Sequence, residues 1–223
     1  MDINFLTREQ FLVLLTLQAK LNFKIRADWA DGKTPFLRAA FVEAAEALDH
    51  YGWKWWKKTE PDIVQVQIEL IDILHFYLSH VLVQNNGVIE KSALAIEFEM
   101  HDVTPIFFDG AAISLESDVP YLLEVIAGLA VRRRHSFLVL NKLMELCKLS
   151  GNDVVGQYVS KNILNIFRQD HGYNDGTYQK IWEGQEDNVF LGKIMSEMDM
   201  TSTEFPDKLY SALSGKYAQV VGA

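Results

Sequence analysis

Apolar residues recur at spacings of three and four along nearly the whole chain, the period of buried helix faces rather than the alternation of strands. The first run, TREQFLVLLTLQAKLNF, is apolar at Phe11, Leu14, Leu15 and Leu21, and Thr7 followed by Gln10 has the spacing of a capping box. Residues 31–35 form a loop. A second helix is predicted over 36–50, closed by the aromatic segment YGWKWWKK. Thr59 and Asp62 give another Thr-x-x-Asp start, with Pro61 tolerable in the first turn, for a helix of about twenty residues that NNGV stops.

Helical periodicity continues over about 90–101, 119–131, 135–149 and 153–168, and TPIFFDGAAISLESD is an irregular connection between the first two. HGYNDGTYQKIWEGQEDN reads as a loop rich in Gly, Asn and Asp, and a last amphipathic helix lies in PDKLYSALSGKYA. No repeat or linker interrupts the pattern. The expectation is one all-α domain over residues 1–223, a helical bundle with a four-helix core and additional helices, in which 85–150 is a candidate mobile or cap portion.

Composition narrows the function. A hydrophobic share of 49% with 23% charged residues is that of an ordinary globular chain. The net charge of −9 argues against nucleic acid or an anionic membrane as partner, because both are held by Lys and Arg. Cys147, the single cysteine, excludes an intrachain disulfide and a cysteine-based metal site and reads as a buried inert thiol. The start MDINFLTREQ lacks the basic and apolar regions of a signal peptide. Residues 63–83 are apolar enough to suggest a span, but Gln65, Gln67, Glu69 and Asp72 favour a buried core helix. A soluble, intracellular protein is expected.

Four acids then break the apolar pattern. Glu43 and Glu46, and Glu69 and Asp72, lie three residues apart and so share a helix side, flanked by Phe36, Ala39, Ala40 and Ala47 in one case and Val66, Leu70, Ile73 and Phe76 in the other. From Ile63 to Ile89 there is no Lys or Arg to neutralise them. Two like charges ~5 Å apart at an effective dielectric of about 20 repel by roughly 3 kcal/mol. The acids are therefore solvated on an exposed face, or some stay protonated, or a cation is bound. Carboxylate oxygens suit Mg²⁺ or Mn²⁺, which keep waters and share substrate phosphates. A di-iron bundle site would need Glu-x-x-His motifs, which are absent here. Asp72-x-x-His75 is a half-likeness, so His75 reads as a supporting or satisfied core residue.

Two further groups complete the picture. Lys161, Asn165 and Arg168 fall at i, i+4 and i+7, and Tyr178 and Lys180 follow in the loop. This set is either a solvated basic face or a cradle for a polyphosphate, in which Arg can fork two oxygens. Gln18 and Asn22 put amides on the apolar stripe of the first helix, where each is either satisfied by backbone or set to read a nucleobase edge with a donor and an acceptor together.

EAAEALDHYGWKWWKK followed by IELIDILHFYLS, and later KNILNIFRQDHGYNDGTYQKIWEGQEDN, resembles the dimeric all-α dUTPases, a branch of the all-α nucleotide pyrophosphohydrolases that includes the MazG-type enzymes. The superfamily signature Glu-x-x-Glu then Glu-x-x-Asp stands at Glu43, Glu46, Glu69 and Asp72, while the Trp-Lys-Trp-Trp segment and the Lys-Asn to Arg-Gln-Asp run point to the dUTPase branch. The resemblance implies hydrolysis of dUTP, and of dUDP, to dUMP with Mg²⁺ held by the four acids, Mn²⁺ being the substitute. Glu43 or Glu46 would activate water. Lys161, Asn165, Arg168, Tyr178 and Lys180 would hold the distal phosphates, and Gln18, Asn22 and Trp56 would frame the deoxyuridine. A homodimer is implied as well, and five Trp, thirteen Phe and eight Tyr offer aromatic surface for one. One departure is Gly52, where family members often carry Pro. Hydrolysis of another pyrimidine deoxynucleotide such as dCTP, or nucleotide binding without turnover, are the alternatives.

Overall fold

Thr7 caps the first helix as its spacing requires. Its side chain accepts from the Gln10 N–H while the Gln10 side chain accepts from the Thr7 N–H, and α1 runs Arg8–Ile25. The computed structural model describes residues 6–102, 104–200, 202 and 204–222. A short 3₁₀ turn, Trp29–Asp31, leads to α2, Phe36–Tyr51. Gly52 ends α2 in the left-handed region at φ 88°, and a Cβ there would sit 2.6 Å from Thr59 Oγ1. Proline, fixed near φ −65°, could not take this conformation.

Asp62 caps α3, Ile63–Gln84, by accepting from the Gln65 N–H at 3.1 Å. Thr59 is not part of that cap. Its hydroxyl donates to the Gly52 carbonyl at 3.2 Å and closes the aromatic loop, and Pro61 lies ahead of the helix rather than in its first turn. α4 (Ile89–His101), α5 (Val119–Val131), α6 (Phe137–Leu146), α7 (Gly151–Asp170) and α9 (Phe205–Val221) occupy the stretches where the apolar period predicts helices. The irregular connection holds a two-residue hairpin, β1 Phe107–Phe108 with β2 Ala111–Ala112.

The stretch expected to be loop-like from 171 to 188 is more structured than its composition suggests. It contains the hairpin β3 Ile181–Trp182 with β4 Gln185–Glu186, and α8 begins at Asp187 and runs to Met195. Trp182 is the reason: its side chain is fully buried, and its indole N–H donates to the Gln179 carbonyl at 2.8 Å.

The chain builds two apolar cores. The larger gathers α1 to α6 with the start of α7, and includes Leu14, Leu15, Leu70, Ile73, Leu122, Ile126 and Tyr158. The smaller is aromatic, formed by Phe167, Tyr178, Trp182, Phe190, Phe205 and Tyr217 around the second half of α7, α8 and α9. α7 is the common element, and the groove beside it separates the two. Among the described residues α3 alone has the length and apolarity of a membrane span; 67% of its most apolar window is buried inside the protein, as expected of a core helix.

Candidate active site

α2 packs along α3, and the contact brings the acidic stripes of the two helices together. Carboxylate oxygens of Glu43, Glu69 and Asp72 lie within 4.8 Å of one another, an arrangement able to hold a cation. Glu69 is buried, Glu43 and Asp72 are half-buried, and Glu46 is exposed on the wall of the same cavity outside this tight group. Burial is the largest cause of the raised pKa of Glu43, about 8, and Asp72, Glu69 and Glu46 add to it. Glu69 is raised to about 7 by burial and then by Asp72, against which the Glu43 hydrogen bond and Lys161 pull it down. The cluster at neutral pH thus retains protons that a hard cation would displace, and its all-oxygen donor set fits such an ion.

A basic wall faces the acids across a cavity of about 800 Å³. Lys161 Nζ donates to Asp72 Oδ2 at 2.8 Å and to Asn188 Oδ1 at 3.4 Å. Arg168 is anchored behind it: Nε and Nη2 donate to the two oxygens of the fully buried Asp187, at 2.8 and 2.6 Å. Nη1 donates to Asn165 Oδ1 at 3.0 Å. Lys180 reaches the cavity from the stretch before β3 and pairs with Glu186 at 3.0 Å. Tyr178 does not reach it. Its hydroxyl donates to Asp187 Oδ2 at 2.8 Å and its ring packs in the aromatic core, so it braces Arg168 from behind. Tyr173 lines the cavity instead, with its ring 5.8 Å from the Arg168 guanidinium carbon.

A smaller chamber of about 210 Å³ adjoins the cavity, sharing Asp72, Phe76, Asn165, Arg168 and Tyr173 with it. Gln18 and Asn22 line this chamber, both buried and bonded to each other, Gln18 Nε2 donating to Asn22 Oδ1 at 2.9 Å. His75 belongs to the same wall and stacks on Tyr158 at 3.9 Å. Trp56 lies elsewhere: it is exposed and packs edge-on against Trp53 and Trp55, which are exposed too and anchor no core.

The family model described as dUTPase matches residues 10–173. The chain belongs to the all-α dUTPase family. Its activity is accordingly the hydrolysis of dUTP. No curated protein matches the sequence at a significant level. The matched range includes the four acids, Gln18, Asn22, Lys161, Asn165, Arg168 and Tyr173, and ends before β3, α8 and α9. Asp187 and Asn188, with the part of the aromatic core that follows Phe167, therefore lie beyond the dUTPase match, although they complete the basic wall.

The residues that sequence reasoning missed differ in how visible they are. His50, whose Nε2 is 3.6 Å from Glu69 Oε1, stands at i+7 from Glu43 and i+4 from Glu46 and was legible as the same helix side. Tyr173 and Tyr178 occur in one aperiodic stretch, and nothing in spacing says which ring enters the cavity. Asp187 and Asn188 open a helix that the Gly-rich surroundings conceal.

Proposed function

We propose that the groove between the two cores converts dUTP, and dUDP, to dUMP with Mg²⁺, Mn²⁺ being the substitute, and that the base occupies the smaller chamber. What carries this reading is the convergence of Glu43, Glu69 and Asp72 within 4.8 Å in a cavity that Lys161, bonded to Asp72, and Arg168 also line, a pairing of acids with cations that matches a polyphosphate bridged to a divalent ion. Glu43, Glu69 and Asp72 would hold the ion with Glu46 beside them, and the bound ion would offset charge on the phosphate oxygens. Glu43 or Glu46 takes the proton of the water whose oxygen attacks phosphorus, and pyrophosphate leaves from the triphosphate. Lys161, once Asp72 is engaged elsewhere, turns to the phosphates together with Arg168, Asn165 and Lys180. Tyr173 takes the place first expected of Tyr178, and Trp56 meets a base only if the aromatic loop moves. The protein acts as a soluble intracellular homodimer.

Chromatography of products from a deoxynucleotide panel tests the reading. With Mg²⁺ present, dUTP should give dUMP and pyrophosphate, dUDP should give dUMP and phosphate, and neither should react in chelator. Turnover of dCTP but not dUTP, or full activity in chelator, would overturn it.

A further inference from the structure

Four side chains around the small chamber form a hydrogen-bond relay whose direction is fixed at one end. Ser79 has two acceptors within reach of its single proton, the His75 carbonyl four residues back at 2.9 Å and Asn22 Oδ1 at 3.3 Å, and the shorter contact takes it. Its oxygen must therefore accept, and Asn22 Nδ2 donates to it at 3.1 Å. That orients Asn22 with its oxygen toward Gln18, which must present its NH₂ there, at 2.9 Å. Gln18 Oε1 is then turned to the other side, where it accepts from the Tyr158 hydroxyl and, at 2.7 Å, from His75 Nδ1. His75 is consequently the Nδ1–H tautomer. Its Nε2 is an acceptor, buried, with no hydrogen-bond partner among the described residues. The ring's low pKa, about 3 through burial and Lys161, keeps it neutral.

After the internal bonds are made, the wall has one unused N–H on Gln18, one on Asn22, and the His75 Nε2 lone pair. Gln18 Oε1 has both lone pairs engaged inside the relay, and Asn22 Oδ1, which accepts from Gln18, is covered on its other side by the Ser79 hydroxyl oxygen at 3.3 Å. Two donors and one acceptor complement an imide edge, in which two carbonyls flank an N–H, and they oppose the cytosine edge, in which the ring nitrogen accepts and the exocyclic amine donates. Gln169, also in this wall, has an unpartnered Oε1, but an unanchored amide can turn either face and does not discriminate.

We propose that Ser79 and Tyr158 are positioning residues that set the orientation of Gln18 and Asn22 and the tautomer of His75, and thereby make the chamber select an imide pyrimidine over an aminopyrimidine. The proposal rests on the placement of the base in that chamber and goes further by naming what reads it and what holds the reader in place. A site built to bond a substrate N–H rejects the analogue lacking it by far more than an apolar pocket can, because its own buried groups are left unpaired.

The test is calorimetric titration of dUMP and dCMP into the whole protein, together with the long-range ¹H–¹⁵N spectrum of its histidines. Wild type should prefer dUMP, and His75 should show a protonated Nδ1 and a bare Nε2. Ser79→Ala lets Asn22 and then Gln18 turn over, so the dUMP to dCMP preference should fall by about tenfold or more, the scale of one lost hydrogen bond. Tyr158→Phe, which keeps the ring stacked on His75, should shrink the same ratio while leaving the fold intact by circular dichroism. Unchanged preference in both variants, or an Nε2–H tautomer in wild type, would overturn the proposal. These readouts need no turnover, so a protein that discriminates as expected yet hydrolyses no nucleotide would overturn the proposed reaction and leave the relay standing.

Discussion

Glu43 and Glu69 share a hydrogen bond inside a low-dielectric corner, and the cost of charging both sets how the protein responds to pH. Both carboxyls titrate higher in the folded chain than the ordinary 4.5, so their contribution to folding is fully present below pH 4.5 and is lost as pH rises through about 7 to 8. In chelator, Glu43→Gln should therefore melt higher than wild type at pH 8.5, and the gain should vanish near pH 5, as followed by circular dichroism. Affinity for a divalent cation should move the other way, rising across pH 6 to 8 as the protons leave, a trend that titration calorimetry at several pH values would record. The acids were legible one by one because spacing reports a shared helix side. Their mutual distances were not, since these depend on how α2 lies against α3. The same holds for His75, which spacing made a satisfied core residue and packing leaves with a bare nitrogen.

The junction of α7 with α8 carries the basic wall. Arg168 is forked by Asp187, which is fully buried and also accepts from Tyr178, so the guanidinium is held in place and its charge is already matched. Asp187→Ala should cost about 3–5 kcal/mol in urea unfolding, because it leaves an unmatched buried charge. Lys161, a single ammonium on Asp72, is easier to remove. Lys161→Ala should weaken a non-hydrolysable dUTP analogue about ten- to a hundredfold in calorimetry, the worth of a charged hydrogen bond, and leave dUMP nearly unchanged. α7 and its basic stripe follow from a strong apolar period, whereas α8 follows from nothing so regular. It is short, preceded by Gly184 and interrupted by Gly192, and it forms because the hairpin turns on a buried Trp182 that composition alone makes part of a loop.

Across the whole molecule the reaction groove lies between α2 and α3 of the larger core and the α7, β4 and α8 residues beside the smaller, mostly aromatic one. The aromatic surplus seen in the sequence divides accordingly: one part fills the second core, and another, including Phe98 at 76% and Trp55 at 89%, remains on the surface, where a second copy would cover it. Sedimentation should give about twice the 25.5 kDa chain mass. The all-α class and the helix order were readable from period and caps, but the division into two cores was not, because Tyr178, Trp182 and Tyr217 meet only in three dimensions. The most direct measurement of the central claim is the initial rate of pyrophosphate release from dUTP by wild type and Glu69→Gln, each with Mg²⁺ and with chelator. Wild type should be active only with the ion, and the variant, folded by circular dichroism, should lose about a hundredfold or more. Comparable rates for the two proteins, or for wild type in both conditions, would contradict a metal-dependent site at these acids.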